Sequence, residues 1–242
     1  MAKTDHGARM TVAEHLAELR RRLIIAIVAV TVAAIVAYIF SLDIIRFLVD
    51  YYRDATENQE NALVFTGPAD AFVTRIKVAT YGGIVLALPV WLWQVWRFVT
   101  PGLHPNEKRY AVPFVLSAVV LFAFGAFVAL RTLPTALSFL LNVGGEELQP
   151  LLTADKYLSL VSLMIVAFGI SFEFPVVLVF LLLARVLTTA QLRRWRRGVI
   201  IFVVAFAAVI TPSQDPYSLF FMAVPMYVFY ELAILIGRVL KR

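Results

Sequence analysis

The chain has 242 residues and no cysteine, which removes disulfides, thiolate nucleophiles and the usual zinc sites from consideration together. Histidine is almost as scarce: His6, His15 and His104 are the only three, and all lie outside the apolar runs. An intramembrane serine protease needs a histidine at depth beside its serine, and a metalloprotease needs histidine ligands there, so neither chemistry has its residues. His15 and Glu18 do not stand in the H-E-x-x-H order of a zinc site, and there is no phosphate-cradling P-loop and no Asn-x-Ser/Thr sequon. Charge is thin as well, at 16% of residues against about 25% in a soluble domain. No catalytic activity, metal or cofactor is expected from this inventory.

What the chain has in abundance is apolar surface. Hydrophobic residues make up 61%, well above the roughly 45–50% of a water-soluble domain, so the solvent for which this sequence is built is lipid. Crossing a hydrocarbon core of about 30 Å takes about 20 apolar residues. The pattern predicts an all-α polytopic membrane protein, a single integral domain over 1–242, with six transmembrane helices at about 23–40, 78–96, 110–130, 157–184, 199–210 and 217–235. The fifth and sixth are short: Val199–Ile210 is uncharged for 12 residues and Tyr217–Tyr230 for 14 before Glu231. Leu23–Phe40 is uncharged for 18 residues, longer than the apolar core of a cleavable signal, and no small-residue cleavage site follows, so it reads as a retained span.

The net charge of +6 resembles a nucleic-acid footprint, but its distribution serves topology. Sixteen of the 22 basic residues fall before the first span, between the second and third, between the fourth and fifth, and after the sixth. The positive-inside rule then puts both termini in the cytoplasm of a multi-pass inner-membrane protein, with no nucleic-acid partner. On the opposite side, "IIRFLVDYYRD" (44–54) has the spacing of an interfacial helix, and "PTALSFLLNV" (134–143) reads as a segment too short to span, the two together forming a cap.

The candidate functional residues are acids in unusual places. Glu173, in "FGISFEFP", interrupts the longest apolar run, where a carboxyl costs about 2.5–3.5 kcal/mol and usually faces a cavity or a partner; the alternative is a carboxyl satisfied within its own bundle. Pro175 frees a backbone carbonyl one turn earlier, near Ser171. Glu231 reads as a snorkelling residue able to meet Arg238. On the basic side, Glu107 follows the helix-capping Asn106 and suits a helix N-terminus, yet it is the only acid in its loop. In "AEHLAELRRRL" (13–23), Thr11 and Glu14 form a capping box, Glu18 can pair with Arg22 four residues on, and Leu16, Leu19 and Leu23 share a face suited to packing. Glu18 and Glu107 are thus two acids on an otherwise basic face, a combination that suits a basic ligand.

With these residues in hand, the chain resembles the TatC family, the receptor and core subunit of the twin-arginine protein translocase. The resemblance rests on "HLAELRRRL" (15–23), "PVWLWQVWRFVTPGLHPNEKR" (89–109), "FGISFEFPVVL" (168–178), "TPSQDPYS" (211–218) and "PMYVFYE" (225–231), which run the length of the chain in the family's order. It implies export of folded proteins that carry twin-arginine signal peptides, driven by the proton motive force, with TatA- and TatB-type single-span partners and further copies of the chain itself. By the same resemblance Glu18, Arg20, Phe98, Pro101, Leu103 and Glu107 would form the signal-peptide site. Glu173 and Gln94 would be intramembrane polar positions, and Thr211 and Pro212 would lie where partner helices bind. Where the family has a serine–glutamine pair after the "TP" turn this chain has Ser218–Leu219, so the glutamine's role does not carry over.

Two other readings remain. A proton-coupled small-solute transporter with Glu173 as proton carrier predicts inverted repeats and broken helices in corresponding halves, and the sequence has no evident half-chain similarity. A purely structural membrane scaffold leaves Glu107 and Glu173 without a purpose.

Overall fold

A computed structural model describes residues 12–55, 63–99, 111–145 and 152–239. These form helices α1 (Val12–Ile39), α2 (Ser41–Ala55), α3 (Asp70–Leu86), α4 (Leu88–Val99), α5 (Ala111–Asn142), α6 (Ala154–Ser171), α7 (Phe174–Leu183), α8 (Thr189–Ile210) and α9 (Pro216–Val239). The segment from Val12 to Ile39 contains neither proline nor glycine, and α1 runs through it unbroken. The run read as the second span begins earlier and is bent: α3 and α4 meet at Ala87 at 53°, with Pro89 in the first turn of α4, where its missing N–H costs nothing. The fourth span is likewise two helices, interrupted at Phe172 and Glu173 just before Pro175.

Four stretches are each long and apolar enough to cross a membrane, namely Ala13–Ile39, Val112–Asn142, Ala154–Leu183 and Pro216–Val239, and the bent pair α3–α4 adds a fifth. The remaining long helix, α8, opens with a Thr188–Gln191 capping box and carries Arg193, Arg194, Arg196 and Arg197 in its first half. Its uncharged part is only the stretch 199–210 already noted. The sixth segment also extends beyond its uncharged run, because α9 continues through Glu231 to Val239.

The α6–α7 stretch lies at the centre: 61% of its apolar window is buried, against 6% for α1 at the rim. Tyr157, Leu158, Val161, Met164 and Phe168 of α6 pack with residues of α2, α3, α5, α8 and α9. Gly83 lets α3 lie directly on α1, since a Cβ there would sit 2.6 Å from the backbone N and Cα of Ala34.

The bundle has two chemically different ends. At one, α2 lies across the helices with Leu48 and Tyr52 buried against Leu133, Leu137 and Tyr157. The Tyr157 hydroxyl donates to the Leu48 carbonyl at 2.7 Å, and Lys77 Nζ meets both oxygens of Asp155 at 2.8 and 3.0 Å. The other end collects Arg20–Arg22, Arg97 and the arginines of α8. There α7, α8 and α9 close around Leu182, Leu192 and Tyr230, whose hydroxyl donates to the Leu192 carbonyl.

Three expectations need correction. Residues 134–143 are not a separate segment at the surface but the last turns of α5, which passes through Pro134 as one 32-residue helix. Leu16, Leu19 and Leu23 share a face, yet all three are exposed and none belongs to the buried core. Glu231 pairs not with Arg238 but with Arg196 of α8, whose Nη2 donates at 2.6 Å, while the Tyr227 hydroxyl donates to its other oxygen at 3.1 Å. Arg196 is closer in space because α8 and α9 are packed neighbours, a relation that spacing within α9 does not show. Both members are partly exposed, so a double-mutant cycle on Arg196→Gln and Glu231→Gln should give a coupling of about 1 kcal/mol in thermal unfolding, and additive losses would show that the pair does not fasten α8 to α9.

Candidate functional site

The site at the arginine-rich end is built from the first turns of α1 and the last turns of α4. His15, Glu18 and Arg22 are three and four residues apart, so the helix presents them on one face, and that face is turned to α4. Arg22 Nη2 donates to Glu18 Oε1 at 3.0 Å, and Arg22 Nη1 donates to Gln94 Oε1 at 3.3 Å. One turn beyond, the His15 and Phe98 rings stack with centroids 4.4 Å apart. The Glu18 and Arg22 side chains are only 16% and 15% exposed and Gln94 is buried, so the ion pair is largely withdrawn from solvent. Two atoms in it have no hydrogen-bond partner among the described residues, Glu18 Oε2 and Arg22 Nε, and both are buried. A carboxylate with an unused acceptor, beside an aromatic pair, has hydrogen-bonding capacity left for a cationic ligand.

Of the residues singled out in the sequence, Glu18, Phe98 and Gln94 are thus brought together. Arg20 lies on the exposed side of α1. Pro101, Leu103 and Glu107, and with them the Asn106 cap, lie outside the described residues, as does Thr11 of the capping box with Glu14. Gln94 is joined to Arg22 and belongs with this cluster, not with Glu173. Sequence reasoning misses two of the cluster's members: Arg22 reads as a topology charge with a local partner, and His15 drops from view once catalysis is excluded. The three-and-four spacing from His15 through Glu18 to Arg22 is the signal that could have found them.

Glu173 stands at the junction of α6 and α7, preceding the first residue of α7, with the side chain offering no capping bond. Its Oε1 is buried and has no partner among the described residues. Ser171, two residues earlier, donates its hydroxyl back to the Ala167 carbonyl at 2.6 Å. A third polar locus lies at the α2-bearing end, in the turn between α8 and α9. Thr211 is buried and donates its hydroxyl to the Ala207 carbonyl at 2.8 Å, and Pro212 follows it. Asp215, also buried, accepts the Ser218 backbone N–H at 2.8 Å and so caps α9, whose first residue is Pro216. Among the described residues no three acidic or histidine side chains converge as metal ligands.

Comparison with known proteins agrees with this architecture. The family model described as "Sec-independent protein translocase protein (TatC)" matches residues 14–225. The Sec-independent protein translocase protein TatC of Frankia casuarinae is 42% identical, covering 97% of this chain and 67% of its own length; that of Carboxydothermus hydrogenoformans is 35% identical, covering 96% and 94%. A crystal structure of the twin-arginine translocase receptor TatC superposes with a TM-score of 0.78 at 35% identity, over 95% of this chain and all of that one. Match length, identity and superposition concur, and the chain belongs to the TatC family of Sec-independent protein translocase proteins.

Proposed function

We propose that this chain is the signal-peptide receptor and membrane core of a twin-arginine translocase. In that role it binds twin-arginine signal peptides at the arginine-rich end, on the cytoplasmic side, and exports folded cargo with TatA- and TatB-type partners and further copies of itself, using the proton motive force. It is a translocation component and not an enzyme, as its family membership states.

The observation that carries the reading is the Glu18 carboxylate, set on α1 against α4 among basic surroundings, with one oxygen unpartnered among the described residues. A planar guanidinium offers a carboxylate two parallel N–H bonds from a rigid fork of two nitrogens, a match that an ammonium's single nitrogen does not provide, which accounts for a preference for arginine over lysine. Glu107 supplies the second acid for the second arginine, and Arg20, Phe98, Pro101 and Leu103 flank the two. A signal peptide also carries an apolar core of about 7–15 residues, and the exposed stripe of Leu16, Leu19 and Leu23 offers it a surface.

In this reading α8 is the sixth span, both termini face the cytoplasm, and α2 caps the outer side of a multi-pass inner-membrane protein. Helices with 12 and 14 uncharged residues thin the bilayer around α8 and α9, at a fraction of a kcal/mol per ångström, and Thr211 and Pro212 mark where partner helices settle. The small-solute transporter is disfavoured by a specific feature. The broken helices are α3–α4 and α6–α7, and α6–α7 supplies much of the bundle's core, with 61% of its apolar window buried.

The test is site-specific photocrosslinking of a twin-arginine signal peptide to the chain in native membranes. Glu18→Ala and Glu107→Ala should each lower the yield about tenfold or more while membrane insertion is retained, the loss of a charge-assisted bond being about 1.5–3 kcal/mol. Undiminished crosslinking in the double variant would refute the recognition site.

A further inference from the structure

The recognition site at the arginine-rich end is not empty of guanidinium. Arg22 already occupies it: one of its amino groups bonds Glu18 Oε1 at 3.0 Å and the other bonds Gln94 Oε1 at 3.3 Å. The remaining carboxylate oxygen, Oε2, is buried and unpartnered among the described residues, and so is Arg22 Nε. The pair is therefore a single-bonded one, short of the two parallel bonds that a guanidinium and a carboxylate make when they meet face to face. Oε1 is taken by Arg22, so an incoming guanidinium can hold both oxygens only once Arg22 has let go.

From this we infer that Arg22 is a resident guanidinium that an incoming arginine must displace from Glu18, and that it thereby sets how strictly an arginine pair is required. The inference rests on reading Glu18 as a signal-peptide contact. Gln94 gives the displaced group a place to stay: its amide oxygen already holds the Arg22 amino group that does not touch Glu18, so Arg22 can release the carboxylate while keeping one acceptor. The exchange replaces one guanidinium by another. Its gain is small for a single arginine, because the new ion pair is offset by the one that is lost. A ligand with a second arginine draws on contacts elsewhere and overcomes that offset. A lysine fares worst, because its single ammonium nitrogen lacks the rigid fork whose two parallel bonds outcompete the resident group. The same carboxylate without Arg22 would accept any nearby cation.

The experiment uses the full chain in detergent micelles and synthetic signal peptides with an Arg-Arg pair, an Arg-Lys pair or a Lys-Lys pair, binding being read by fluorescence anisotropy. Arg22→Gln should raise affinity for the lysine-containing peptides, so that the preference for Arg-Arg over Lys-Lys falls on the order of tenfold. An unchanged preference overturns the inference, as does an equal loss of affinity for all three peptides, which would make Arg22 a mere support for the helix. Arg22→Lys serves where the glutamine variant does not remain folded: its ammonium lacks the planar fork that holds Glu18 and Gln94 from two separate nitrogens, so the preference should fall in the same direction by a smaller factor, and no fall overturns the inference. Glu18→Gln separates the two levels. If it binds the Arg-Arg peptide as the unaltered chain does, the recognition site itself is misplaced. If it binds weakly while Arg22→Gln keeps full selectivity, only the role of Arg22 is lost.

Discussion

Gly83→Val should leave little folded protein, and Gly83→Ala should lower stability by about 1–3 kcal/mol. The cause is the position of α3 on α1: the added Cβ would meet the backbone N and Cα of Ala34 at 2.6 Å, and a backbone cannot swing aside as a side-chain tip does. Gly82 is less demanding, with the Ala37 methyl at 3.2 Å. Relief at Gly83 therefore requires the two helices to separate along their length. In lipid that separation is costly, because close backbone approach at small residues is a main source of helix–helix attraction when no hydrophobic gain exists. Separation would also move α1 against α4, which continues from α3 across a single residue, and so disturb the Glu18–Arg22–Gln94 cluster. Gly198 is the internal control. It lies within α8, and a methyl added there would have nothing within 4 Å, so Gly198→Ala should gain about 0.5–1 kcal/mol from helix propensity alone. Heating detergent-solubilised protein and measuring the fraction that stays monodisperse on size exclusion checks both. Equal midpoints for the two alanine variants would refute the close-packing account.

The contrast between those glycines shows how much of the fold is legible in the sequence. Gly83 stands in a glycine pair with Gly82 and Gly198 follows the arginines of α8, yet neither context says that one faces Ala34 and the other open space. The helical class and the long apolar segments are readable, because a hydrocarbon solvent forces every backbone polar group into a helix and leaves the run length as the signal. Helix bends are only partly readable: Pro175 announces the α6–α7 break, whereas Pro134 sits inside α5 without ending it. Pairings across helices are the least legible. Glu18 with Arg22 follows from the i,i+4 rule, but Arg22 with Gln94 spans 72 positions and Arg196 with Glu231 spans 35, and no periodicity reports such distances. The family resemblance singles out Gln94 as a polar position; its partner comes only from the packing of α1 on α4.

Replacing Glu173 by leucine should block export while leaving the protein folded and its signal-peptide binding intact. Glu173 lies at the α6–α7 junction with one oxygen buried and unpartnered among the described residues, so among them the carboxyl has found less than it needs. A buried polar group left in that state is a net cost, and insertion of a carboxyl at depth costs about 2.5–3.5 kcal/mol. If the residue served the fold, leucine would remove a satisfied group and destabilise the bundle. If it is kept for a partner helix or a proton, leucine removes only the cost, and thermal stability should stay level or rise. Glu173→Gln discriminates further. It retains hydrogen bonding at nearly the same volume, so export by the glutamine variant would assign Glu173 to a contact made by hydrogen bonds, and failure of both variants would assign it to the protonation change that only a carboxyl can undergo. The readouts are export of a folded reporter, crosslinking of a twin-arginine peptide and the thermal midpoint, each on the same membranes. Normal export by Glu173→Leu would return Glu173 to a structural role, and loss of stability in step with loss of export would do the same.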